Sequence, residues 1–370
     1  MNDSFFLKEL REQPAAVAET VAGQAKAVAA LAALLPSDLT RVLLVGCGDP
    51  YFAAHAAVYP FERWARLPAE AVDGLEFRFW RHELVDARTL IILISQSGKT
   101  IQVIESGRLA RERGAITIGV TNSPEGPLAA ECDHLLATAG GPSYSFPTKT
   151  TTAATALLFH VALALGVARG GLTTPDADAH RTALGTTLPA QMERALDLES
   201  ELLTLARLWQ SRRHFAFIGS GPGYAAALIG AAKINETNRL PAEADALEEY
   251  GHLHLFAIQP GTPLFFLAPS GRTAGRVRAM VEFATGRGHP VVVFGPQGSR
   301  ARWQRPGVQA YELAPTDELL SPLLYVVPLQ LFAYNLAVTR GVNPDRPEGF
   351  DNVAIQKMIY IDLLEGWHEP

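Results

Sequence analysis

A self-similarity at one fixed offset constrains this chain more than any other feature. RVLLVGCGDPYFAAHAA begins at Arg41 and HFAFIGSGPGYAAALIG begins at His214. Each is a β-branched or aromatic run, then Gly-x-Gly, then an Ala-rich helical segment. Gly46 to Gly219 is a step of 173 residues, as is Gly48 to Gly221. LIILISQSGKT ends at Thr100 and LFFLAPSGRT at Thr273, the same step again. ITIGVTN after Arg113-Gly114 and PVVVFGP after Arg287-Gly288 differ by 174. A period this long marks a duplicated α/β domain and not a short-period solenoid.

Each half reads strand–helix–strand–helix–strand. The strands are near-continuous apolar runs, as in a parallel sheet covered on both faces. Ile101, Ile104, Leu109 and Ala110 recur at helical spacing with Arg108, Arg111 and Glu112 outside. Right-handed crossovers then give two tandem doubly wound, flavodoxin-like parallel sheets. The expected boundaries are an N-terminal helical segment over 1–36, a first domain over 37–170, a linker and helix over 171–211, a second domain over 212–341 and a tail over 342–370. The Ala-rich helix is expected over Ala15–Leu35, ended by Pro36-Ser37. Arg169–Pro175 reads as a Gly/Thr/Pro linker, followed by a helix near Leu184–Ser211.

Composition removes several classes. Hydrophobic residues make up 48% of the 370, which is ample for a core and excludes a disordered chain. A formal charge of −6 provides no basic field for nucleic acid. Two cysteines, Cys47 and Cys132, cannot form a disulfide framework, and no Cys/His spacing suggests zinc, so no metal site and no cofactor are expected. A reducing cytoplasm fits best. The charged N-terminus lacks the apolar run of a signal peptide. Ala153–Ala168 is too short to span a membrane, and Pro322, Pro328, Gln330 and Asn335 interrupt Leu319–Thr339, so both read as buried helices and no membrane partner is expected.

Ligands in such sheets bind at the carboxyl ends of the strands. The sharpest loop there is Ser95-Gln96-Ser97-Gly98-Lys99-Thr100. Its hydroxyls and backbone N–H groups at a helix N-terminus make an uncharged anion cradle. An ordinary capped turn needs one hydroxyl, and this loop offers three. Two other phosphate motifs fail on spacing: a Walker A loop ending in Gly98-Lys99-Thr100 would need a glycine at Leu93, and a dinucleotide fingerprint starting at Gly46 would need one at Tyr51. The second-half loop, Ala268-Pro269-Ser270-Gly271-Arg272-Thr273, lacks the first serine and the glutamine, so it is expected to be the weaker anion site.

With the SQSGKT loop, Thr148-Lys149-Thr150 before a long apolar helix, and PLLYVVPLQLFAYNLAVTRG over Pro322–Gly341, the chain resembles the double SIS (sugar isomerase) domain family. It is similar to the isomerase half of glucosamine-6-phosphate synthase and to related phosphosugar deaminases and deglycases. The resemblance covers about Arg41 to Asn352. It implies a phosphosugar whose phosphate lies on Ser95, Gln96, Ser97 and Thr100, with Gly48, Thr148 and Glu249 also at the substrate. Where the family places a second hydroxyl pair, this chain has Asp49 and Pro50. Either Asp49 turns away from the phosphate or the ligand differs.

The resemblance also implies the chemistry. Lys233 and Glu236 share a helical face. Glu249-Tyr250-Gly251-His252 has the family's E-x-x-H spacing, and Glu236 to His252 is the required 16 residues. In the family the glutamate moves a proton at C1/C2 and the histidine opens the ring; the histidine commonly comes from the partner subunit, which implies a homodimer with a shared site. A shielded carboxylate can accept a C–H proton near neutrality, and an imidazole titrates where it can give and take one. Lys233 and Glu236 could instead be an ordinary helix pair. Leu253-His254 replaces the family's Gly-Pro, so His254 is either an alternative acid or a strand-edge histidine. Glu249 is expected to orient the loop. The family's Schiff-base lysine falls on Asn352, with Lys357 five residues on, and the start Met1-Asn2 has no cysteine nucleophile, so glutamine-dependent synthesis is not expected. What remains is aldose–ketose isomerisation, amino-sugar deamination or fructosamine-phosphate cleavage. The alternative is a non-catalytic sugar-phosphate regulator, which would need the phosphate loop but not Glu236 and His252.

Overall fold

The computed structural model describes residues 4–345. The chain divides into two compact units. The first comprises Ala15–Ser143 and Lys149–Gly185; the second comprises residues 4–14, Tyr144–Thr148 and 186–345. The division runs through the opening helix.

That helix, α1, spans Phe5–Leu34 and starts ten residues before the expected Ala15. Pro14 lies inside it, where a missing N–H ordinarily breaks a helix. Here the Gln13 side-chain amide donates to the Leu10 carbonyl at 3.1 Å, replacing the donor that Pro14 lacks.

The first unit carries β1 (Arg41–Gly46), α2 (Asp49–Arg63), β2 (Ala69–Asp73), β3 (Thr89–Ile94), α3 (Ile101–Glu112), β4 (Ile116–Thr121), β5 (His134–Ala137) and α4 (Lys149–Ala168). Its five strands are all parallel in the order β2-β1-β3-β4-β5. After α5 (Thr174–Thr182), the second unit continues with α6 (Leu188–Leu196), α7 (Glu199–Trp209), β6 (Phe215–Gly219), α8 (Pro222–Asn238), β7 (Ala242–Ala246), α9 (Leu247–His252), β8 (Leu264–Leu267), α10 (Ala274–Gly286), β9 (Val291–Pro296), β10 (Val308–Leu313) and α11 (Ser321–Thr339). Its order, β10-β9-β8-β6-β7, is the same topology.

All three sequence pairs are strand pairs: β1 with β6, β3 with β8, β4 with β9. Each sheet has two more strands than the sequence reading found. β2 (AEAVD) and β7 (AEADA) are edge strands with polar residues between small ones, and their 69-to-242 step is again 173. An edge strand is wetted on one side, so it lacks the continuous apolar run that marks β3, buried at every position. β5 and β10 were missed for the same reason. Pro175, read as linker, sits in the first turn of α5, where Thr173 caps the Asp176 N–H.

α4 and α11 are apolar on nearly every face and buried over most of their length, as a helix of that composition must be in a packed core. By length and composition α1, α4 and residues 318–339 could each cross a membrane, yet 83% of the α4 window and 94% of the 318–339 window lie inside the protein. In the second unit Phe265 of β8 gathers an aromatic core, stacking on Phe217 at 4.6 Å and meeting Phe332 of α11 at 4.8 Å. Truncating such a ring costs about 3–5 kcal/mol.

His160 of α4 is buried, and its Nδ1 has no hydrogen-bond partner. Burial, with a smaller contribution from Arg181, pushes the imidazole down to about 4. The unfolded imidazole protonates near pH 6.5, so between the two values the unfolded chain binds the extra proton. Stability is therefore full above about pH 6.5 and falls by about 3 kcal/mol as pH drops toward 4. His160→Leu should flatten this dependence in denaturant melts between pH 7 and 4.5; an unchanged slope would contradict it.

Candidate active site

In the first sheet β1 pairs with both β2 and β3, so the chain leaves β1 and β3 toward opposite sides. This is the point where a doubly wound sheet opens a crevice at its carboxyl edge. The Gly-x-Gly loop and the Ser95–Thr100 loop flank it. A Cβ on Gly46 would meet the Pro50 backbone at 2.7 Å, so only glycine lets α2 start against the strand end. Gly48 holds φ 62° and leaves the N-terminus of α2 without a side-chain cap. Cys47 between them is no nucleophile: burial, reinforced by Asp73, pushes its thiol up to about 11.

The Ser95–Thr100 loop is fixed by its own chain. Ser95 is fully buried, and its Oγ pairs with Thr100 Oγ1 at 3.0 Å. Ser97 Oγ accepts the Lys99 N–H at 3.2 Å. The Gln96 carbonyl accepts the Asn122 N–H at 3.1 Å, and the Gly98 carbonyl that of Leu128 at 3.0 Å. Gly98, at φ 65°, packs directly on Gly126 and Ser123. Thr100 occupies the N-cap position of α3, yet no side chain caps that helix. No hydroxyl of this loop caps α3, although Ser97 Oγ closes a turn on the Lys99 N–H. The Ser95–Thr100 pair uses one of its two hydroxyl protons internally, leaving the other, and that of Ser97, for a ligand at the positive end of the helix.

Asp49 is buried, and its Oδ2 accepts a hydrogen bond from Thr151 of α4 at 3.0 Å. That bond engages the carboxylate in place of the family's hydroxyl pair. Thr151 itself lines a narrow cleft with Gln96, Asn122, Thr138 and Thr150. Thr150 Oγ1 is buried there without a hydrogen-bond partner. Of the Thr148-Lys149-Thr150 segment the sequence reading singled out Thr148, which is buried in the second unit, whereas the cleft is lined by Thr150 and Thr151. Their signal was the threonine run at the start of α4, in which only the fold distinguishes one threonine from the next.

The second unit repeats the scaffold with different chemistry. Gly221, at φ 52°, again precedes an uncapped helix. Thr273 Oγ1 pairs with Ser220 Oγ at 2.7 Å, across to the Gly-x-Gly loop and not within its own. The carboxylate of Glu318 fills the space that a Cβ on Gly271 would need. A carboxylate lying on this loop repels an anionic ligand, which makes the two loops unequal beyond the loss of Ser95 and Gln96.

On α8, Lys233 is completely buried and its Nζ lies 2.7 Å from Glu236 Oε2, whose side chain is 26% exposed. A buried ammonium demands such a partner. His252, at the end of α9, is 76% exposed and lies 3.5 Å from Glu248, which Arg276 also holds at 2.5 and 2.8 Å. Glu249 is exposed on the same turn. The structure thus groups Ser95, Gln96, Ser97 and Thr100 near Gly48 in one unit, and joins Lys233 to Glu236 in the other. Asn352 and Lys357 lie outside the described residues. Among the described residues no three His, Cys, Asp or Glu side chains gather as a metal site requires.

The profile of the SIS domain family matches residues 37–164 and 207–340. The chain belongs to this family. It is 31% identical over 347 residues to glutamine–fructose-6-phosphate aminotransferase (isomerizing) of Pyrococcus horikoshii, covering 93% of this chain and 56% of that protein. The Mycobacterium tuberculosis protein of the same name is 33% identical over 356 residues, with the same coverage. The chain thus spans about half the length of these relatives. The C-terminal domain of the Francisella tularensis glucosamine-fructose-6-phosphate aminotransferase superposes with TM-score 0.85 at 25% identity, over 93% of this chain and 98% of that one. Glucosamine-6-phosphate deaminase of Thermotoga maritima shares the fold at TM-score 0.72 and 24% identity, over 93% and 98%.

Ser97→Ala or Thr100→Ala should weaken binding of a hexose phosphate by about 1–3 kcal/mol, the worth of one hydrogen bond to a charged group. Binding of the unphosphorylated sugar should not change. Calorimetric titration separates the two, and an unaltered phosphosugar affinity would remove this loop from the site.

Proposed function

We propose that this SIS-family chain is an enzyme acting on a hexose or amino-hexose phosphate by proton transfer at C1/C2, as an isomerase, deaminase or deglycase. The observation that carries the reading is the uncapped Ser95–Thr100 loop at the strand switch point. Its hydroxyls and backbone N–H groups stand at a helix N-terminus that no side chain caps, which suits an anion. The relatives act by name on phosphorylated hexoses, and the reading concerns the sugar-phosphate chemistry alone.

Glu236 is the carboxylate assigned to the carbon-bound proton. Lys233 beneath it fixes its position with a charge-assisted bond from a fully buried ammonium. A binding protein would gain nothing from a buried ammonium held under a partly exposed carboxylate, and this favours catalysis over the regulator. An imidazole from the segment after β7 handles the oxygen-bound protons; the family spacing falls on His252, and His254 lies two residues on. Leu253 and Phe256 beside it are 59% and 77% exposed. Apolar side chains in the open support the further proposal that a second copy of the chain covers this loop.

Glu236→Gln preserves shape and hydrogen-bonding reach but cannot accept the proton. It should lower kcat by about 10²–10⁴-fold and leave phosphosugar affinity nearly intact. The assay is turnover and solvent-deuterium incorporation at C1/C2 across a panel of hexose and amino-hexose phosphates. Full turnover by the variant would remove Glu236 from the mechanism. A wild-type chain inert to the whole panel would favour the regulator.

A further inference from the structure

A second imidazole in the loop after β7 is better built for proton transfer than the one the family spacing selects. Asp245 is the penultimate residue of β7, at the carboxyl edge of the sheet, and its side chain is 1% exposed. Its Oδ1 bonds Nδ1 of His254, whose ring is 38% exposed. Its Oδ2 is buried with no hydrogen-bond partner. Burial pushes this carboxyl up, while His254 pulls it back down and Glu243 and Glu249 add to the rise. Of those neighbours, Glu243 faces His214 at 3.2 Å. The Tyr250 hydroxyl is also buried without a partner.

A carboxylate placed here for stability alone would have both oxygens satisfied, because an unpaired buried oxygen costs free energy and buys no packing. A carboxylate that holds an imidazole needs only one. With Nδ1 occupied, the ring keeps its N–H toward Asp245 and presents Nε2 as the base. His252 has no such support within the chain: the Glu248 it approaches is already held by Arg276.

We propose that His254, held in one tautomer by Asp245, is the imidazole that moves protons between the oxygens of the bound sugar phosphate; Asp245 is its positioning residue. The inference rests on the phosphosugar reading above. Nε2 takes the proton of the anomeric hydroxyl as the anomeric C=O forms and the bond to the ring oxygen breaks. The bonding pair goes to the ring oxygen, which then receives that proton. Cyclic and open-chain sugar are isomers, so nothing is oxidised, and Asp245 ends as it began.

The test compares His254→Asn, Asp245→Asn and His252→Asn in the full chain with whichever hexose phosphate the wild type turns over. Asp245→Asn keeps the shape but donates to Nδ1 and drives the ring proton to Nε2. Both His254→Asn and Asp245→Asn should lower kcat by about 100–1000-fold with KM within about threefold, while His252→Asn stays within about tenfold. Nitrogen-15 NMR of the ring should show the Nδ1–H tautomer in wild type and its loss in Asp245→Asn. Should Asp245→Asn fail to fold, the half-exposed His254 still supplies an informative variant. An active wild type with unimpaired His254→Asn and disabled His252→Asn overturns this assignment alone. A wild type inert on every phosphosugar overturns the enzyme reading, and this assignment with it.

Discussion

The hydroxyl–hydroxyl bond between Ser95 and Thr100 leaves the helix N-terminus beside the first sheet's switch point without a side-chain cap. A threonine at a helix N-cap ordinarily turns its oxygen to the first-turn N–H groups. Here the buried Ser95 claims it at 3.0 Å, and α3 is left with no side-chain cap. The site's donors are therefore set during folding and not supplied by a flexible side chain. An anion reaching this helix end displaces no side-chain oxygen. The 2-1-3-4-5 strand order does the rest by opening the sheet beside the same loop.

Duplication provided two copies of this scaffold, and the second differs from the first in two contacts. In the second unit Thr273 bonds Ser220, and Glu318 sets a carboxylate against Gly271. The charged chemistry of that unit lies elsewhere, in the buried Lys233 under Glu236 and in Asp245 with His254. Both pairs bury a charge, which rarely favours stability over an apolar alternative. Retaining two of them in one unit is more economically explained by proton transfer than by packing.

The central strands were legible because burial on both faces writes a continuous apolar run, and a step of 173 or 174 residues matched each run to its copy. The edge strands β2 and β7 were not, although they repeat at the same step, because half of each is wetted and AEAVD reads as a loop. Pro14 hid the first turns of α1, since the compensating bond from Gln13 is a tertiary detail. The Ser95–Thr100 loop and the Lys233–Glu236 pair could be read directly, being local in sequence. Asp245 could not: nothing in AEADA distinguishes its aspartate until the strand end brings it to His254, nine residues on. Asp49 is the intermediate case. Its conflict with a phosphate was visible in the sequence, but its bond to Thr151, more than a hundred residues away, required the fold.

The central claim is that the first-unit loop is the phosphate site and its second-unit copy is not. Backbone amide NMR during titration with a hexose phosphate addresses it without mutation. The amides of Gln96 through Thr100 and of the first turn of α3 should shift and saturate together, and the unphosphorylated sugar should leave them in place. The amides of Ser270 through Thr273 should stay still throughout. Saturable shifts at Ser270 through Thr273, with none at Gln96 through Thr100, would contradict the account.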